Sequence, residues 1–289
     1  MLSNGNVGER CILTKNPVLK PVLKWVGGKR QLLPELLPLI PQNTIYVEPF
    51  VGGAAVLLGV QPNKARINDA NEELINVYRS IRDNPDEVLK ILKEHEMNNS
   101  SEYYYEIRGL DRSESYSELS STQRAARIIY LNKTCYNGLF RVNSRGQLNV
   151  PYGRYKNPDI VQEPAIQALS RYLNDNEIEI LSGDYKQALK DLPRGAFVYL
   201  DPPYMPVSKT SSFTGYTEGG FTYGEQRQLR DCCIALWEQG IRFIQSNSDC
   251  DAIRELYEDF RIKVVRARRA INSNGNRRGP VNEVIIINE

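Results

Sequence analysis

Short apolar runs, each closed by glycine, proline or an acid, alternate along the chain with longer stretches of helical periodicity. Ile45-Tyr46-Val47 leads into Glu48-Pro49-Phe50-Val51-Gly52-Gly53 and then the small apolar residues Ala54 to Leu58, which predicts a strand, a glycine turn and a helix. Ala65 to Asp69 is predicted as a second short strand ending on an acid, with a helix from about Asn71, so the order is that of a βαβ unit. From about Leu74 to Thr134 the periodicity turns helical, with Val88, Leu89, Ile91 and Leu92 in one segment and Ala125, Ala126, Ile128 and Ile129 in another. Residues 135–156 carry two glycine-containing turns between short β-prone runs, which predicts a hairpin or extended loop. The βα alternation then resumes, with strands predicted at 178–180, 196–200 and 241–244 and a helix from Glu225 to Gln239. Two further apolar runs, Ile262 to Val265 and Val284 to Ile287, flank a polar, glycine-bearing stretch at 272–280. The pattern is an α/β domain formed by 1–73 and 162–289 and interrupted by an insertion at 74–161.

Composition narrows the class. With 289 residues, 41% of them hydrophobic, the chain can bury one large core or two modest ones, which excludes disorder as its main state. No run of eighteen apolar residues occurs, and the first residues lack a secretory h-region, so a cytoplasmic protein without membrane contact is expected. Five cysteines, odd in number and without a CxxC pair, face the single histidine His95, so neither a disulfide framework nor a metal site is expected.

The net charge of +2 says little, but its distribution says more. No acid lies between Glu118 and Asp159, a window holding Arg124, Arg127, Lys133, Arg141, Arg145, Arg154 and Lys156. Glu9 to Glu35 encloses six basic residues and no acid, and Asp259 to Glu283 encloses seven and none. Such stretches are commonly plain solvated surface, yet three of them in a nearly neutral protein also suit a polyanion, and Arg124 and Lys133 join the candidates for that face.

The chemistry is concentrated in Asp201-Pro202-Pro203-Tyr204, directly after the apolar run AFVYL. A buried strand ending this way sets a carboxylate, a carbonyl and an aromatic ring at the carboxyl edge of an α/β sheet, where ligands bind. An aromatic amine is a poor nucleophile because its lone pair is delocalised into the ring. Two acceptors holding its hydrogens, Asp201 and the Pro202 carbonyl, would draw the nitrogen towards tetrahedral geometry, and Tyr204 can stack on the ring. The plainer reading is a proline-stiffened turn. Upstream, the Gly52-Gly53 turn lets backbone approach a ligand but lacks the GxGxxG spacing of a dinucleotide site. Asp69 sits where an acid commonly bonds ribose hydroxyls, or caps the helix that follows. Lys24-Trp25-Val26-Gly27-Gly28-Lys29 is not a P-loop, because the first glycine and the final Ser/Thr are missing.

KWVGGK, EPFVGG, IND, YNGLFRVN, VPYGRYK and DPPY, in that order over about residues 20 to 250, resemble the DNA adenine methyltransferase (Dam) family of bacteria and phages, whose members commonly act on GATC. The resemblance implies an S-adenosylmethionine-dependent methyltransferase fold, a mostly parallel seven-stranded sheet flanked by helices, with 74–161 as an inserted helical and β-hairpin DNA-recognition domain. It implies that Trp25, Lys29, Glu48, Pro49, Phe50 and Gly52 bind S-adenosylmethionine, that Asp69 holds its ribose, and that Asp201 lies beside it while Asp201, Pro202 and Tyr204 hold a flipped adenine. Phe213 would line the same cleft. Tyr136 would enter the base stack, Asn137 would meet phosphate and the orphan base, Leu139 and Arg141 would read bases, Lys24 would contact an outer guanine, and Arg154 and Lys156 would lie near the backbone. Double-stranded DNA is the implied partner and a monomer the implied state. The first fifteen or so residues have no counterpart role, and Phe140 stands where the family varies.

The leading expectation is therefore adenine 6-amino methylation in a short duplex sequence, GATC by likeness. The alternatives are cytosine 4-amino or RNA adenine methylation, since the same acceptors suit any conjugated amine, and a non-catalytic DNA-binding relative. Asp201, Tyr204, Lys29 and Asp69 speak against the last, because binding DNA requires none of them.

Overall fold

A computed structural model describes residues 15–206, 221–268 and 280–288. Seven strands form one sheet: β1 (Tyr46–Glu48), β2 (Lys64–Ile67), β3 (Glu177–Ile180), β4 (Phe197–Leu200), β5 (Arg242–Ser248), β6 (Arg261–Arg268) and β7 (Pro280–Ile287). Their order is β3-β2-β1-β4-β5-β7-β6, with β1 to β5 mutually parallel and β7 antiparallel to both of its neighbours. The central strand β4 is buried at all four positions, as expected of a parallel strand covered on both faces, whereas the edge strand β3 alternates exposed and buried. β2 stops at Ile67, two residues short of the expected end. Beyond it, Asn68 bonds through its side chain to Pro49 O and Gly183 O, at 3.0 Å each.

The described residues also form ten α-helices: α1 (Leu33–Leu36), α2 (Ala55–Val60), α3 (Glu72–Asp83), α4 (Pro85–Met97), α5 (Ser101–Gly109), α6 (Ser121–Thr134), α7 (Glu163–Asp175), α8 (Tyr185–Ala188), α9 (Tyr223–Glu238) and α10 (Asp251–Leu256). Their starts follow local chemistry. Asn71 accepts from Leu74 N–H to cap α3, Pro85 opens α4, and Ser120 with Gln123 and Thr222 with Glu225 form capping boxes on α6 and α9. Asn71 thus takes the capping role that was the plainer reading for Asp69.

Strand alternation divides two cores. Tyr46, Phe197 and Tyr199 join one that continues through Leu74, Ile128 and Leu131, and Val47, Val198 and Leu200 join another with Leu229 and Phe243. The first core runs unbroken from the sheet into α6. The boundary drawn at residue 74 falls within α3, which packs on both α6 and α7.

Residues 135–156 form an irregular extended loop with two antiparallel bridges, Cys135 to Tyr152 and Val142 to Leu148, rather than a regular hairpin. Its regularity is lost because its return arm is held by side chains of the helical insertion. Tyr104 Oη donates to Val150 O at 2.8 Å, Arg112 Nη2 to Leu148 O at 2.7 Å, and Leu148 N–H to Asp111 Oδ2 at 2.8 Å. Asp111 also pairs with the buried guanidinium of Arg127 at 3.0 Å. Asp111→Ala would leave that guanidinium buried without its counter-charge and is expected to cost about 3 kcal/mol. Urea unfolding followed by circular dichroism measures this, and an unchanged midpoint would remove Asp111 from the role.

Candidate active site

Strand order reverses between β1 and β4, and at such a switch point the crevice beyond the carboxyl ends of the strands is open to a ligand. Here the two most distinctive sequence segments meet. Lys29 Nζ lies 2.8 Å from Asp201 Oδ1 and 4.8 Å from the centre of the Tyr204 ring, and it donates to Gly27 O at 2.6 Å. Lys29 is buried, and Gly27 takes a φ of +77° that lets its carbonyl turn back on the ammonium.

The neighbouring turn is built around Trp25. A Cβ on Gly52, whose φ is +46°, would fall 2.8 Å from Trp25 Cδ1, and one on Gly53 would fall 3.0 Å from Trp25 Cβ. Both glycines are therefore demanded by the indole packed on them. Gly52 N–H donates to Asp69 Oδ2 at 3.0 Å, Asn71 N–H to Asp69 Oδ1 at 2.9 Å, and Tyr78 Oη to Gly52 O at 2.6 Å, so Asp69 and Tyr78 fix the turn from below. Pro49 carries the carbonyl bonded by Asn68, and Phe50 stacks on Tyr185 at 5.1 Å and meets the edge of Phe221. Glu48 is buried and accepts from Tyr46 Oη at 2.8 Å.

The electrostatics are one-sided. Burial pushes Glu48 up to about 8, with Asp201 adding to the rise, and raises Asp69 as well. Asp201 is raised to about 6 by burial, resisted by Lys29 and reinforced by Glu283 and Asp69. Three buried acids therefore share the crevice with the Lys29 ammonium.

Several residues that hold this site are missing from the sequence reading. Gln226 Nε2 donates to Pro203 O at 2.9 Å, Asn247 Nδ2 to Gln226 Oε1 at 3.1 Å, Met205 N–H to Asn247 Oδ1 at 3.1 Å, and Ser248 Oγ to Met205 O at 2.6 Å. Tyr204 Oη donates to Glu283 Oε2 at 2.8 Å. The one available signal was the polar run Ser246-Asn247-Ser248 closing an apolar strand. Among the described residues nothing donates to the Pro202 carbonyl. Phe213 lies outside the described residues.

The loop at 135–156 adjoins the site through Phe140, which stacks on Trp25 with ring centres 5.1 Å apart. Tyr136 is 53% exposed, and Asn137, with a φ of +57°, is exposed beside it. Lys24, Arg154 and Lys156 are exposed too, and Lys24 Nζ rests 5.3 Å from the Tyr155 ring. Two expectations need correction. Lys133 is buried in α6, and desolvation lowers its ammonium to about 8, so it is no surface cation. Arg124 is engaged by Glu73 through Nε and Nη2, with Tyr116 beside it. Leu139 is half-buried against the core. Arg141 donates through Nε to Asn149 Oδ1 at 2.8 Å and through Nη2 to Asn149 O at 3.0 Å, which sets its fork within the loop.

A seven-stranded sheet of this order, with one reversed strand beside its edge and an acid-rich crevice at the switch point, is the fold of the S-adenosylmethionine-dependent methyltransferases. Residues 25–271 match the sequence model of the D12 class N6 adenine-specific DNA methyltransferases, and the chain belongs to that family of DNA-methylating enzymes. It is 47% identical to the Type II methyltransferase M1.LlaDCHI of Lactococcus lactis subsp. cremoris over 96% of this chain and 98% of that protein. It is 39% identical to the Type II methyltransferase M.MjaIII of Methanocaldococcus jannaschii over 93% and 99% of the two chains, and 34% identical to the DNA adenine methylase of Escherichia coli K12 over 92% and 94%. The family is defined by adenine and DNA, which leaves the cytosine and RNA readings unsupported. Among the described residues no helix is long and apolar enough to cross a membrane, and no cluster of metal-ligating side chains occurs.

Because burial raises Asp201 and Lys29 lowers it, the ionised form gains as pH rises through about 6. The carboxyl carbon shift of Asp201, followed by NMR, is expected to titrate near that value and to move to higher pH in Lys29→Met. A midpoint that stays put or falls would break the proposed pairing.

Proposed function

We propose that the chain transfers the methyl group of S-adenosylmethionine to the 6-amino group of adenine within GATC in duplex DNA, with the adenine flipped out of the stack. The observation that carries this reading is the Lys29–Asp201 pair, which joins the KWVGGK and DPPY segments at the sheet's switch point. The residues fit a cationic cofactor, since burial raises Glu48, Asp69 and Asp201 and a positive charge beside them would draw all three towards ionisation. Trp25, Lys29, Glu48, Pro49, Phe50 and Gly52 hold it, and Asp69 uses its remaining lone pairs for the ribose hydroxyls. When bound, the cofactor supplies an electrophilic methyl group on a positively charged sulfur.

The chain's own contribution is alignment. Asp201 and the Pro202 carbonyl accept the two amine hydrogens and Tyr204 stacks on the base, while Lys29 keeps Asp201 ionised and in place. Extruding the adenine costs about a few kcal/mol, which Tyr136 offsets by entering the stack and Asn137 by bonding the unpaired partner. Arg141, its fork preset by Asn149, reads a base edge with Leu139, Lys24 meets the outer base pair, and Arg154 and Lys156 meet phosphates.

Tritiated methyl transfer to plasmid DNA and to RNA, followed by digestion to nucleosides, is expected to place the label in N6-methyladenine from duplex GATC alone; label in cytosine or RNA would sink the reading. In the same assay Asp201→Ala is expected to abolish transfer while leaving DNA affinity intact. Calorimetry should show Asp69→Ala weakening cofactor binding by about 1–3 kcal/mol, and unchanged affinity would make Asp69 a purely structural brace of the Gly52 turn. Arg141→Ala is expected to relax the preference at one base pair by about 1–3 kcal/mol, whereas Lys156→Ala should weaken all sequences alike and flatten the salt slope by about one. Methylation of GATC and its single-base variants at two salt concentrations separates them, and the reverse assignment of effects would place base reading elsewhere.

A further inference from the structure

The hydroxyl of Tyr204 is tied to Glu283, 2.8 Å away on β7. Glu283 stands in register with Ser248 of β5, and opposed residues of an antiparallel pair project to the same face. Ser248 Oγ holds the carbonyl of Met205, the residue after Tyr204. Two opposed residues of β5 and β7 therefore grip two consecutive residues of the loop that leaves β4. We propose that Glu283 is a positioning residue for methyl transfer, fixing the Tyr204 ring where the target adenine has to stack. This rests on the reading of Tyr204 as the stacking platform given above.

The physical need is plain. Tyr204 is half-buried on a loop, and an aromatic side chain there is free to leave its rotamer unless something holds its far end. The hydroxyl lies on the axis of the Cβ–Cγ bond. A tether at that point fixes where the ring sits but not its rotation about the axis. Rotation is governed from the ring face, where the Lys29 ammonium lies 4.8 Å from the ring centre. An anion at the hydroxyl and a cation on the face together define both position and plane. Glu283 also adds to the negative field that lifts Asp201, so it stands within electrostatic reach of the acceptor itself.

The test uses the full chain and a duplex oligonucleotide with one target site, and reads the single-turnover methylation rate at saturating DNA and cofactor alongside DNA affinity by anisotropy. Glu283→Ala and Tyr204→Phe are each expected to slow methylation about tenfold, the effect of one lost hydrogen bond. Combining them should slow it no further, because both remove the same contact. DNA affinity and melting temperature should match wild type, and Glu283→Gln should recover the rate because its amide oxygen accepts the same hydrogen bond. Additive losses in the double variant, a wild-type rate in Glu283→Ala, or a rate loss that tracks a fall in melting temperature would each overturn the proposal. Tyr204→Ala separates the two layers of inference. Full activity there would overturn the stacking role of Tyr204, whereas a slow Tyr204→Ala beside a full-rate Glu283→Ala would overturn the tether alone.

Discussion

The ion pair between Lys29 and Asp201 is the contact on which the rest of the site depends. It is made where carboxylates outnumber ammonium groups, with Glu48, Asp69 and Glu283 all close enough to act on it or on each other. A buried pair of this kind does little for net stability, since desolvation consumes most of the attraction. Its worth lies in geometry. Lys29 is held by Gly27 O, so the ammonium arrives preset, and Asp201 is drawn to a point defined by the amino-terminal segment rather than by its own loop. The tightness of the Gly52-Gly53 turn follows from the same arrangement, because Trp25 is carried on that segment and leaves no room for a Cβ beneath it.

Much of this was legible in the chain. An unbroken apolar run marked β4 because a parallel strand covered on both faces has to be apolar, and Asp201, Pro202 and Tyr204 stood out because they follow directly after that run. Gln226 and Glu283 were not legible, and Asn247 and Ser248 showed only as part of a polar run closing an apolar strand. Each looks like an ordinary polar residue of a helix or strand end, and only the sheet order, with β7 reversed beside β5, brings them against the loop after β4. Charge misled in the opposite direction. An acid-free window records net sign and says nothing about burial or about partners contributed from elsewhere. Lys133 therefore faces inward, and Arg124 is taken by Glu73 from α3.

The loop at 135–156 shows how an irregular segment is kept in one shape. Its two bridges and internal bonds such as Arg141 to Asn149 are supplemented from outside: by Tyr104, Arg108, Arg112 and Asp111 on one arm, and by Asn132, which bonds Lys24 N–H, Lys24 O and Gly138 O, on the other. The exposed side chains of the loop are thus mounted on contacts that also reach the crevice, through Lys24 and the Trp25–Phe140 stack.

The pairing of β1 with β4 carries a consequence for how the chain acquires this shape. Tyr46 lies opposite Phe197, and the whole helical insertion separates them in sequence. Closing so long a loop is entropically slow, so the central pair of the sheet forms late unless the intervening chain has already shortened itself. Helices α3 to α7 can do that by packing on one another, α3 and α4 each meeting both α6 and α7. During synthesis the amino-terminal strands must wait for β4 to emerge with their apolar edge unpaired. The helical stretch between the two strands is then also the element that brings the two halves of the sheet within reach of each other.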